Sequence, residues 1–114
     1  MCFRKRNDRK MLLENKQNIS NMAISIDVLI SLAQDNEELV ENLKYIQDKI
    51  KYFNPCTNKE TIDLDKKISS RIGDLKIEIN KTKKSQDFTK ALEIVSDIKN
   101  GLVVERIASS NKVR

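Results

Sequence analysis

Residues 22–33, Met22-Ala23-Ile24-Ser25-Ile26-Asp27-Val28-Leu29-Ile30-Ser31-Leu32-Ala33, carry two periods at once. Every second residue from Ile24 to Leu32 is apolar, which is the alternation of a half-buried strand. Met22, Ile26, Leu29 and Ala33 also recur at the three- and four-residue steps of a helix. Which period is realised decides the fold class. A strand needs a partner for its backbone amides and carbonyls, and no other part of the chain sustains a period of two. A lone strand would leave a bare edge. The surroundings therefore select the helix, although Ile and Val cost several tenths of a kcal/mol each in helix propensity.

Choosing the helix leaves a surplus. With Met22, Ile26, Leu29 and Ala33 on one face, Ile24, Val28 and Leu32 step by four along another. A surface helix of a bundle needs one apolar stripe. The second face is either enclosed by the chain itself or met by another molecule, and Ile24, Val28 and Leu32 are the candidate partner interface. Burying each of them is worth roughly 1.5–3 kcal/mol.

Working outward, the same helical spacing recurs. Upstream, Leu12 and Ile19 extend the stripe, interrupted by Asn15 and Lys16, and predict a helix over about 8–33. Leu39, Leu43, Ile46, Ile50 and Phe53 predict a second over 36–53, started at Asp35 or Asn36 with Asp35 and Glu38 as a capping box. Asn54-Pro55 is the strongest break, because proline disfavours helical geometry at the residue before it. Thr57 and Glu60 form a further capping box, and Leu64, Ile68, Ile72, Leu75, Ile79 and Thr82 predict a third helix over 58–84. Phe88, Ala91, Val95, Ile98 and Leu102, widened by Leu92, Ile94, Val103 and Ile107, predict a fourth over 86–108, with Asn100-Gly101 as a weak point. The expected fold is an all-α, antiparallel four-helix bundle. The alternative is a long helical hairpin that turns only at Asn54-Pro55 and dimerises to bury its stripes. Residues 1–7 read as a basic tip, 8–108 as one domain and 109–114 as a frayed tail.

Composition agrees with helices. At 39% hydrophobic and 34% charged, the chain is too apolar for disorder, and two Gly and one Pro are too few for the tight turns of an all-β fold. Most of the formal charge of +5 falls in the first ten residues, where Arg4, Lys5, Arg6, Arg9 and Lys10 stand against Asp8 alone. Cys2 and Cys56 do not make a disulfide scaffold, no secretory signal is read, and the apolar run is too short for a bilayer. A reducing, cytoplasmic setting is the expectation.

Histidine is absent, which removes histidine-dependent triads and most transition-metal ligation. Gly73 and Gly101 are isolated and form no phosphate loop. Glu60, Asp63 and Asp65 are explained by the dipole at the start of the third helix, without a metal. No catalytic group, cofactor or small-molecule substrate is expected. Lys81, Lys83 and Lys84 complement the carboxyl end of that helix and, with Arg4, Lys5, Arg6, Arg9 and Lys10, are the candidate phosphate contacts. Tyr45 and Tyr52 are expected to roof the core edge. The function expected is a non-catalytic helical module that binds a protein partner or itself. The alternatives are an accessory nucleic-acid-binding protein and an accessory protein on an anionic membrane surface, both using the basic tip.

Overall fold

The computed structural model describes residues 5–85 and 87–111. Their regular structure is all helical, with no strand among them. Helix α1 spans Lys5–Leu32, α2 spans Glu37–Ile50, α3 spans Lys59–Ser85 and α4 spans Thr89–Asp97. A π-helical turn, Ile98–Leu102, then joins α4 to α5, Val103–Asn111. α4, the π turn and α5 form one continuous rod, so four rods pack together. The helical period prevails over residues 22–32. The hairpin alternative does not hold, because four residues, 33–36, separate the end of α1 from the start of α2, and the two pack against each other.

Local chemistry explains the ends. Asn36 is the extended N-cap of α2, and its side chain accepts from the Leu39 amide at 3.0 Å. Asn58 accepts from the Glu60 amide at 2.8 Å ahead of α3. Asparagine therefore takes both cap positions: Asn36 is one of the two expected starts of α2, with Asp35 outside the cap, and Asn58 lies one residue after the expected Thr57. Asp87 accepts from the Thr89 amide at 3.1 Å and its hydroxyl at 2.7 Å. These bonds hold the Asp87 carboxyl below its ordinary value, the hydroxyl bond contributing most. α2 stops at Ile50 rather than Phe53, since the chain tightens into turns closed by Tyr52 on Lys49 and Phe53 on Ile50. α1 starts before the expected Asp8, and α5 runs to Asn111. Ser109, expected in the frayed tail, is buried and hydrogen-bonded to Thr61 at 2.6 Å.

Sequence neighbours are antiparallel, but the square is wound with a diagonal step. α1 packs on α2 and α3, and the rod packs on α3 and α2. Asn15 meets Asp65 and Asn18 meets Ser69, so α1 and α3 run parallel. Thr61 meets Ser109, Asp65 meets Arg106 and Arg71 meets Asp97, so the rod returns along α3. Residues 51–58 cross the diagonal between α2 and α3.

The predicted stripes meet inside. Met22, Ile26, Leu29 and Ala33 pack with Leu39, Leu43, Ile46 and Ile50, with Ile68, Ile72, Leu75 and Ile79, and with Ala91, Val95 and Ile98. The last stripe departs after Ile98. Val103 is buried in place of Leu102, which is half-buried. The Val103 amide donates to the Ile98 carbonyl, five residues back. This extra residue turns α5 by roughly 100° about the rod axis. In an unbroken α-helix Glu105, seven residues after Ile98, would face inward. With the π turn Glu105 is exposed and Arg106 is fully buried.

Candidate interaction surface

One end of the core is polar. Asp65 and Arg106 are both 0% exposed and pair through Arg106 Nε and Asp65 Oδ1 at 2.7 Å. Asn15 Nδ2 donates to Asp65 Oδ2 at 2.6 Å, and its Oδ1 accepts from the Cys56 amide at 2.9 Å. Arg106 Nη2 donates to the Asn54 carbonyl at 2.7 Å, and the guanidinium lies 4.7 Å from the Phe53 ring centroid. The group ties α1, α3, α5 and the diagonal crossing together. A buried ion pair adds little net stability, but breaking it by a slip in register leaves buried charge unpaired. Asp65 is thus no solvated acid at a helix start, and its carboxylate is already held by Arg106 and Asn15. Sequence reasoning misses this network, although part of its signal is present. Asn15 falls in the stripe of α1, seven residues before Met22, and Asp65 in the stripe of α3, seven before Ile72. Nothing in the spacing shows Arg106 as their partner, because the π turn sets its phase.

Among the described residues no three His, Cys, Asp or Glu side chains gather to hold a metal. The grooves along α3 are open furrows. The one beside the π turn is lined by Lys67, Ser70, Arg71, Asp97, Gly101 and Leu102. Cys56 is a half-buried free thiol. No helix among the described residues is long and apolar enough to cross a membrane.

Among the described side chains, the candidate phosphate contacts do not form one patch. Arg9 and Lys10 are exposed near the start of α1, and Lys81 and Lys84 are exposed near the end of α3. Because α1 and α3 run parallel, the two groups sit at opposite ends of the bundle. Lys81 also lies 3.6 Å from Glu78, and Arg71 is bonded to Asp74 and Asp97 at 3.1 Å each. Arg4 lies outside the described residues, as do the side chains of Lys5, Arg6 and Lys83. Tyr45 edges the bundle between Lys49 and Lys99, whose amines are 5.2 and 4.7 Å from its ring. Tyr52 is 72% exposed and roofs nothing.

The surplus apolar face is largely outside. Ile24 is 62% and Val28 44% exposed. Leu32, expected beside them, is half-buried against the chain's own core. Leu13, Gln17, Asn21, Ile24, Val28 and Ser31 make one outward line along α1, all exposed. From Gln17 to Gln34 the only charged residue is Asp27, whereas nearly half of the 27 residues of α3 are charged. An uncharged line centred on Ile24 and Val28, with Asp27 at its edge, is cheaper to desolvate than a charged face. Depletion of charge is also the compositional mark of an interface centre. Compared with family models, curated proteins and solved structures, the chain matches none.

Proposed function

We propose that the chain is a non-catalytic helical module that binds protein through the outer face of α1. The observation that carries the reading is the charge-free outward line containing Ile24 and Val28, on a chain otherwise one-third charged. Covering the two side chains is worth roughly 1–2 kcal/mol each at 25 cal/mol per Å². The buried polar network supports the reading by holding α1 in one register, so that this face is presented on a rigid element. The lack of histidine and the open, shallow grooves favour binding over turnover. A reducing, cytoplasmic setting suits a chain with a free Cys56 thiol. Separation of the basic groups to opposite ends gives nucleic acid or an anionic membrane only short, local contacts, and neither alternative gains from the fold.

Radical footprinting tests the reading with an internal control. In native cell extract Ile24 and Val28 are expected to be protected relative to the dilute purified chain. Ile77, 55% exposed on the outer face of α3, is expected to be labelled alike in both. Equal labelling of Ile24 and Val28 in the two samples overturns the proposal.

A further inference from the structure

We infer that the occupant of this face is a second copy of the chain, with the two α1 helices antiparallel about a two-fold axis near Ile24. The inference rests on the proposed interface and adds its partner. The argument is charge complementarity along α1. On either side of a centre whose one charge is Asp27, Arg9, Lys10, Glu14 and Lys16 are exposed toward the start, three bases to one acid, and Asp35 with Glu37 and Glu38 of the α2 start is exposed just past the end. Positive charge at a helix N-terminus opposes the helix dipole, so Arg9 and Lys10 do not serve α1 itself.

A two-fold axis sets like against like at the centre and unlike at the ends. Placed at Ile24, it brings Ile24 onto the partner's Ile24 and Val28 opposite the partner's Ser20, a large side chain against a small one. It also carries Arg9 and Lys10, about 21 Å from the axis at 1.5 Å per residue, toward the partner's Asp35 and Glu38. A parallel pairing would set basic against basic and acidic against acidic. With the axis at Ile24 the two α1 helices overlap only from Lys16 to Leu32, about 24 Å by about 10 Å, on the order of 250 Å² per copy and so below the size of a permanent interface. Association is therefore concentration-dependent rather than permanent.

Sedimentation equilibrium of the purified full chain tests this. Arg9→Glu with Lys10→Glu is expected to weaken self-association about ten-fold, and Asp35→Lys with Glu38→Lys likewise. Combining all four restores it. Circular dichroism confirms that each variant is folded. As a second readout, a photo-crosslinking residue at position 24 is expected to give an adduct of twice the chain mass, and one at Lys66 is not. Failure of the four-fold variant to regain association overturns the antiparallel pairing. A chain that stays monomeric at several hundred micromolar, while footprinting still protects Ile24 and Val28 in extract, overturns self-pairing and leaves the interface reading standing. Loss of both results removes both.

Discussion

α1 and α3 are nearly the same length, 28 and 27 residues, and run parallel in one bundle. Their inner faces are built alike and their outer faces are not. Each inner face is an aliphatic stripe broken at the same level by a polar residue, Asn15 in α1 and Asp65 in α3, and those two bond to each other, while α3 also buries Thr61 and Thr82. Outside, α3 carries alternating acids and bases, while α1 carries Ser, Asn and Gln around Ile24 and Val28. A helix face that meets only water gains from charge through solubility and i,i+4 pairing. The face of α1 forgoes both, and burial against a partner is the physical condition under which that loss is offset. The inside of the two helices reports how the chain folds, and the difference outside is what the proposed interface rests on.

The comparison can be broken most forcefully from within. Arg106→Met leaves Asp65 buried and unpaired, and is expected to destabilise the fold by about 3–5 kcal/mol, read from the urea midpoint. Asp65→Leu combined with Arg106→Met removes both charges. It should lose less than the single change, giving a coupling of about 1–3 kcal/mol. Additive losses would show that Asp65 of α3 and Arg106 of α5 are not energetically coupled.

A smaller effect is expected on the outside of α3. A Cβ at Gly73 meets nothing within 4 Å, so the glycine serves no close helix approach. Gly73→Ala is expected to stabilise by about 0.5–1 kcal/mol through backbone entropy, with self-association unchanged. Weakened association would place part of the interface on α3.

How far each feature is legible in the sequence depends on its physical origin. The apolar stripes depend on spacing alone, and Met22, Leu43, Ile72 and Val95 are core residues as their positions predict. The turn at Asn54-Pro55 depends on proline geometry and is equally plain. Arg106 depends on a π turn that inserts one residue's rotation between Ile98 and Val103. Asn100-Gly101 marks weakness there but not its form, and an α-period extrapolation points Glu105 inward instead. Ile24 and Val28 are legible as a surplus face, yet whether the chain covers them depends on where α2 and α3 stand. Leu32, at the same spacing, is partly covered. The diagonal step between α2 and α3, which separates the two basic groups, is a matter of tertiary arrangement that no local pattern encodes.

The smallest expected change in stability accompanies the most direct test. Ile24→Glu with Val28→Glu alters two exposed side chains and should move monomer stability by no more than about 0.5 kcal/mol. Light scattering across a concentration series then reads the consequence. The unmodified chain is expected to rise from its 13.2 kDa mass toward twice that value, and the double variant to remain at the single-chain mass with unchanged helicity. Indistinguishable masses for the two proteins at every concentration would contradict self-association through the outer face of α1, and unfolding of the variant would show that this face belongs to the core.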